Sequence, residues 1–321
     1  MQSPTVYVLR TYTVGDLMKI EAAIALEIGA LNQSIITSYQ LGRIIFALYQ
    51  AKSYQGKPIA YLREGSTPNR ARYRGLLKEL EASGVLSNST IAKHPEVFSV
   101  LAQDTLAAEE IACCIDPFCY VSHLSAMDYH GLTDRLPKIL FLSGAEPAHW
   151  KKLAVERMKK DLGESFDSYL ETELPTLRRF SINKIARKTI SLYATKNFDA
   201  GAYIKVQGRS LRVSSIGRTF LDMIRHPSLC GGIYHVLEAY SENAARYLRL
   251  IVDEVQQHGT IIDKVRVGYI LEERIGLTHP TIETWLENVQ RGGSRKLVAE
   301  NPYTPTYSEK WGLSINIEEI E

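Results

Sequence analysis

Long apolar runs are missing from this 321-residue chain, and cysteine is scarce, with four thiols in all. No stretch reaches the roughly 20 consecutive apolar residues that a membrane-spanning helix requires, so insertion into a bilayer is not expected. The start, Met1-Gln2-Ser3-Pro4, lacks the basic residues and apolar stretch of a secretory leader, and the expectation is a cytoplasmic protein. Cys113, Cys114, Cys119 and Cys230 are too few and too clustered for a disulfide framework; reduced thiols fit that compartment. Paired C-x-x-C knuckles are absent, so Cys113, Cys114, Cys119 and His123 read as buried structural groups rather than zinc ligands. Gly231-Gly232 is followed by no phosphate-loop lysine and reads as a turn. Neither a metal nor a cofactor is expected.

Net charge is also small, +2, but it is unevenly spread. Residues 1–100 carry +4, 101–150 carry −5, 151–218 carry +8 and 219–321 carry −5. Two basic segments flanking an acidic one suggest two polyanion-facing surfaces.

The hydrophobic pattern divides the chain into an N-terminal extension (1–36), a small DNA-binding unit (37–103) and a larger mixed region (104–321), an α+β arrangement. Residues 13–31 read as a helix, with Thr13 and Asp16 as a capping box and Leu17, Ile20, Ile24, Ile28 and Leu31 at helical spacing. A second helix is expected over Tyr39–Ala51, broken by Gln55-Gly56-Lys57-Pro58. A third follows Glu64-Gly65-Ser66 and stops at Gly84, and residues 85–89 and 98–101 supply a loose wing. Helix, break, short element, helix and hairpin is the order of a winged helix-turn-helix, in which the last helix enters the major groove. Beyond residue 104 the pattern predicts an acidic helix over 104–114, a helix capped by Ser122 and ending at Gly131, and a charged helix over 150–161. Strands are expected near 138–143, 189–195, 203–207 and 210–214. Helices follow near 216–225, 231–241, 243–257, 262–274 and 280–290, and a last strand over 313–317.

The third helix carries the sharpest signal. Thr67 is a good N-cap and Pro68 suits the first helical position. Tyr73, Leu76, Leu77 and Leu80 form the core-facing stripe. At about 100° per residue, Ala71, Gly75, Lys78 and Ala82 fall opposite it, flanked by Arg70 and Arg74 on one edge and Arg72 on the other. Small residues at the centre of an exposed face suit a backbone that must approach another surface closely. Arginines at its edges can then reach guanine edges or phosphates, with Asn69 at the helix start where base contacts fall. Thr67, Asn69, Arg70, Ala71, Arg72, Arg74, Gly75 and Lys78 are therefore the candidate DNA-binding residues, with Lys57, Arg63 and the wing on phosphates. The competing reading is a solvated helix face with scattered arginines.

A resemblance appears further on. The run Cys119-Tyr120-Val121-Ser122-His123-Leu124-Ser125-Ala126-Met127-Asp128-Tyr129-His130-Gly131-Leu132 resembles the tyrosine-valine-serine to histidine-glycine-leucine signature of AbiEi-type antitoxins of type IV toxin–antitoxin and abortive-infection systems. Arg218-Thr219-Phe220-Leu221-Asp222 resembles that family's arginine-threonine-leucine-aspartate helix, with Pro227, Gly231 and Gly232 following as in the family. The ending, with Pro302, Trp311 and Asn316, is also similar. The resemblance spans roughly residues 37–317 and rests on motif order. It implies a non-enzymatic phage-defence protein that represses its own operon by binding inverted repeats as a pair of protomers. It also implies that the C-terminal region counters a nucleotidyltransferase toxin, not necessarily through a stable complex. The 35 or so residues before the expected first winged-helix element depart from the family.

A second candidate surface, for nucleic acid or an acidic partner, comprises Arg178, Arg179, Lys184, Arg187, Lys188, Lys205, Arg209, Arg212 and Arg218, some on the hairpin expected over 203–214. A solubilising sheet face balanced by the acidic last hundred residues is the equal alternative. Ser122, Asp128 and His130 have the residue types of a catalytic triad but fall on one short helix, which cannot converge them on one atom. Two other functions remain to be weighed: a regulator without a toxin partner, and a restriction-endonuclease-like nuclease using Asp199 and Lys205, which lacks a second acid on that strand.

Overall fold

The computed structural model describes residues 13–14, 17–31, 33–88, 92, 94–100, 107–195, 198, 202–289 and 295–318. Its first elements differ from expectation. Thr13–Val14 (β1) pairs antiparallel with Leu17–Met18 (β2), and the helix starts only at Ile20, running to Ala30 (α1). Lys19 occupies the N-cap and makes no side-chain cap, so the helix does not begin at the expected Thr13; Asp16 lies outside the described residues. The β-branched Thr13-Val14 pair is drawn into a ladder, which suits it better than a helix start.

Ile35–Thr37 (β3) leads directly into Ser38–Ala51 (α2). Here a real capping box closes the N-terminus: Thr37 Oγ1 accepts from the Gln40 amide, and the Thr37 amide donates to Gln40 Oε1 at 2.9 Å. A tight hairpin of Ser53–Tyr54 (β4) and Lys57–Pro58 (β5) follows, then Arg70–Ala82 (α3), Leu86–Asn88 (β6) and Val97–Val100 (β7). The last two strands and β3 form an antiparallel sheet in the order β3-β7-β6. Ile24 and Ile28 of α1, Ile45 of α2, Leu76 and Leu80 of α3 and Phe98 of β7 share one core. The first helix is thus packed into the same core as the next two.

Ala108–Ile115 (α4) lays Ile111 and Cys113 against Ile35 and Val97 of that small sheet. Tyr120–Val121 (β8), His123–Tyr129 (α5), Ile139–Ala145 (β9), Pro147–Leu162 (α6) and Phe166–Glu171 (α7) come next. Lys184–Ile185 (β10), Lys188–Thr195 (β11), Tyr203–Lys205 (β12) and Arg212–Ser214 (β13) complete a six-stranded sheet ordered β10-β11-β9-β8-β13-β12. The sheet is mixed: β11 runs parallel to β9 and β13 to β8, and the remaining pairs are antiparallel.

The helices after β13 pack around a second core, which Met127 of α5 also enters. Ile216–Arg225 (α8), Ile233–His258 (α9), Ile261–Gly268 (α10) and Pro280–Trp285 (α11) enclose Phe220, Tyr240, Trp285 and Trp311, with a π-helical turn over Tyr269–Arg274. Tyr307–Ser308 (β14) and Leu313–Ser314 (β15) pair at the end. The two helices expected at 231–241 and 243–257 are one helix of 26 residues. Ser241-Glu242-Asn243 holds no glycine or proline to end it, and Asn243 turns its amide back onto the Ala239 carbonyl. Helices set apart from an antiparallel-rich sheet make the chain α+β.

Two glycines hold this helical layer close. A Cβ on Gly217 would lie 2.3 Å from the Leu250 carbonyl oxygen of α9. A Cβ on Gly268 would lie 2.2 Å from the Trp311 ring. The two halves of the chain also interlock. Met158, Tyr169 and Leu174 are members of the N-terminal core, and Tyr169 packs edge-on against Phe46 at 5.2 Å.

Candidate nucleic-acid interface

Helix α3 is built as a two-faced element. Tyr73, Leu76 and Leu80 are buried, while Arg70, Ala71, Arg74, Lys78 and Ala82 are exposed. The cap is Asn69 rather than Thr67: its side-chain oxygen accepts from the Arg72 amide at 2.9 Å. Thr67-Pro68-Asn69 contains two good caps two residues apart, and the helix takes the stronger one. Thr67 is left exposed in the approach, and Pro68 is buried ahead of the helix. Asn69 therefore holds the helix start with the same oxygen that a base contact would use.

Gly75 opens onto space; a Cβ there would meet only the Arg72 guanidinium at 4.0 Å. Arg70, Arg74 and Lys78 make no ion pair among the described residues, nor do Lys57 and Arg63, which are also exposed. Arg72 behaves differently. Its guanidinium lies 3.4 Å from Glu21 of α1 and 3.4 Å from Glu79 one face along. The Glu21 hydrogen bond and burial raise the Glu79 pKa, because two carboxylates share this arginine. Arg72 thus pins α3 to α1, at the edge of the small-residue face.

One exposed residue gave no sequence signal. Tyr61 is 88% exposed, sits at φ 64° and lines a groove with Leu62, Arg72 and Lys19 beside α3. A bulky residue in left-handed backbone costs on the order of 1 kcal/mol.

The second candidate surface divides in two. Arg212 is turned inward, donating to the carbonyls of Cys113, Asp116 and Cys119. Arg218 is buried and donates to Glu254 at 2.6 Å. Arg209 pairs with Glu110 and Lys188 with Glu109, so α4 neutralises part of the hairpin. Arg178, Lys184, Arg187 and Lys205 are exposed and Arg179 is half-buried, and none of them pairs with an acid among the described residues. Asp199 lies outside the described residues.

The triad types do not converge. Ser122 holds the N-cap position of α5, yet its hydroxyl caps nothing; it contacts His123 Nδ1 at 2.8 Å and accepts from Ser143 at 2.9 Å. Burial lowers the His123 pKa to about 3, with His226 adding to the effect. His130 Nε2 reaches the Ser214 carbonyl at 2.7 Å, and burial lowers its pKa too. Both hold structure together as neutral rings. All four cysteines are free and buried, and no group of metal-binding side chains occurs among the described residues. No described helix is long and apolar enough to cross a membrane.

No family model matches the chain. No curated protein matches it either. Among solved structures, the crystal structure of the RV2827C protein from Mycobacterium tuberculosis is similar over 91% of this chain and 89% of that one, at 10% identity and a TM-score of 0.42. At that level the likeness assigns neither fold nor activity to this chain.

Proposed function

We propose that this chain is a cytoplasmic, DNA-binding antitoxin of the AbiEi type. In this reading the N-terminal unit is a winged helix that represses its own operon, and the C-terminal region counters a nucleotidyltransferase toxin. The observation that carries the DNA half is the face of α3. Three cations without an ion pair among the described residues, Arg70, Arg74 and Lys78, surround the small residues Ala71 and Gly75 on one exposed side. That face is suited to close approach in a major groove, with guanidinium groups at base edges and phosphates. Strand, helix, helix and hairpin with sheet order β3-β7-β6 support a winged helix, and α1 is counted with it because it shares its core. The unit then runs over residues 20–100 instead of 37–103.

Arg72 contributes by holding α3 in place, and Asn69 by fixing its first turn. Two protomers on an inverted repeat follow from the symmetry of such operators. The toxin half rests on the motif resemblance. A mobility-shift titration against the promoter of its own operon, with Arg70→Ala/Arg74→Ala beside the parent protein, tests the DNA half. Loss of binding with a shallower salt dependence supports it; unchanged affinity and slope overturn it. Co-expression with any nucleotidyltransferase encoded alongside tests the toxin half: rescue of growth supports it, and unrelieved toxicity overturns it.

A further inference from the structure

One face of the large sheet is left partly open. Leu142 of β9 and Ile190 and Leu192 of β11 share that face, with Leu142 and Leu192 in register. Together with Ile115 of α4 and Phe180 of the strap that leads to β10, they wall a cavity of about 480 Å³. Small-molecule sites span roughly 300–1,000 Å³ and pair apolar walls with a few placed polar groups. The cavity is open to water: Leu192, a large apolar side chain on a strand, is 40% exposed.

Two charged residues line it, Asp116 and Arg179. Asp116 is already engaged. Its Oδ1 accepts from the Phe118 amide at 2.9 Å and from Trp150 Nε1 at 3.0 Å. Its charge is matched by Arg212, which donates to the Asp116 carbonyl at 2.6 Å and pairs with no acid among the described residues. Arg179 is the opposite case. It is half-buried beside apolar walls, and neither an acid nor a hydrogen-bond acceptor meets it among the described residues. The strap that carries it is also unspent, since residues 176–182 make no backbone hydrogen bond among the described residues. Side chains hold the strap down instead: Phe180 packs on His94 at 4.5 Å, and Ile182 packs on the core that contains Ile111 and Leu140.

From that geometry we propose that the cavity binds a small carboxylate with an apolar chain. The chain covers Ile190 and Leu192, and the carboxylate takes paired N–H bonds from the Arg179 guanidinium, whose planar fork matches it. A cation would face Arg179 with Asp116 already matched by Arg212. A neutral apolar molecule would leave the guanidinium without a partner.

The test titrates the full chain by calorimetry with octanoate, octylammonium and octanol, which share a chain and differ in head group. Octanoate is expected to saturate one site, with octylammonium weaker by about tenfold or more. Arg179→Gln should weaken octanoate by about tenfold and leave octanol unchanged. Ile190→Trp, which fills the cavity, should weaken both. Absence of saturable octanoate binding to the parent protein overturns the proposal, as does octylammonium bound equally tightly. Unchanged octanoate affinity in Arg179→Gln or in Ile190→Trp also overturns it. Thermal melts of each variant beside the parent separate a lost site from a lost fold. Should Ile190→Trp fail to fold, Leu192→Trp takes its place, because that side chain already reaches solvent.

Discussion

Arg218 donates to Glu254 across 2.6 Å, joining α8 to α9 with only 6% and 13% of the two side chains exposed. Glu254→Ala removes the carboxylate to which this buried guanidinium donates. The cost is expected to be about 1.5–3 kcal/mol, that of a hydrogen bond between charged groups, read as a drop in the chemical denaturation midpoint. Binding to promoter DNA by the folded fraction is expected to be unaffected, since the pair lies in the helical layer. An equally stable Glu254→Ala variant would mean that the pair forms without holding the layer together.

Gly217 sits against the same helix. Gly217→Ala brings its Cβ to 2.3 Å from the Leu250 carbonyl oxygen, a backbone atom that cannot swing aside. Helices α8 and α9 must part, and a loss of roughly 1–3 kcal/mol is expected from such overpacking. Gly75→Ala, by contrast, faces open space and should raise helix stability by up to about 1 kcal/mol. If α3 enters a groove as proposed, that variant weakens DNA binding while gaining stability. Thermal melts and mobility shifts on the two variants separate these effects.

Arg72 and the pair Arg70/Arg74 should fail in different ways. Arg72→Ala releases a half-exposed contact to Glu21 and Glu79, a change of about 0.5–1 kcal/mol in stability. The proposed interface predicts little change in the salt slope of DNA binding for this variant. Arg70→Ala/Arg74→Ala should leave stability within about 0.5 kcal/mol and remove roughly two phosphate or base contacts, lowering the slope. Equal salt slopes for the two variants would place Arg72 on the DNA as well.

Asp222 introduces a pH dependence of definite sign. Burial pushes its pKa up to about 7 despite the Arg218 and Arg225 charges, and one of its oxygens has no hydrogen-bond partner. The folded state therefore holds a proton that the unfolded chain releases near pH 4. The stabilising contribution is whole below about pH 4 and is lost as pH rises through about 7. Asp222→Asn should be more stable than the parent at pH 8, on the order of 3 kcal/mol, with the difference vanishing toward pH 4. A gap between the two proteins that does not change with pH would show that Asp222 is ionised throughout.

The faces of single helices were legible in the sequence, because burial at 3.6-residue spacing is a local property. Tyr73, Leu76 and Leu80 in the core and Ala71 and Arg74 outside it follow directly from that spacing. Choices between near-equal local options were not legible. Thr67 and Asn69 are both good caps, and Thr13-Val14 can start a helix or a ladder. The charge segments hid the most. Glu109 and Glu110 belong to the acidic stretch and Lys188 and Arg209 to the basic one, yet they pair across 79 and 99 positions of chain. A count along the sequence sees two opposed surfaces where folding has cancelled part of each.

Tyr169 has a further consequence. It comes from the chain well after the N-terminal elements, yet it fills their core between Tyr39 and Phe46 and would collide with any side chain at Gly42. A fragment cut near residue 103 would lose Met158, Tyr169 and Leu174 and expose the apolar surface they cover. The N-terminal unit is therefore a borrower, finished by a segment that emerges from synthesis only after α4, the first strands of the large sheet and α6. Helix α2, whose Tyr39, Gly42 and Phe46 meet Tyr169, cannot reach its final packing until that segment has arrived. Ribosome-bound chains shorter than about residue 175 should thus gain protease resistance in this region late and abruptly.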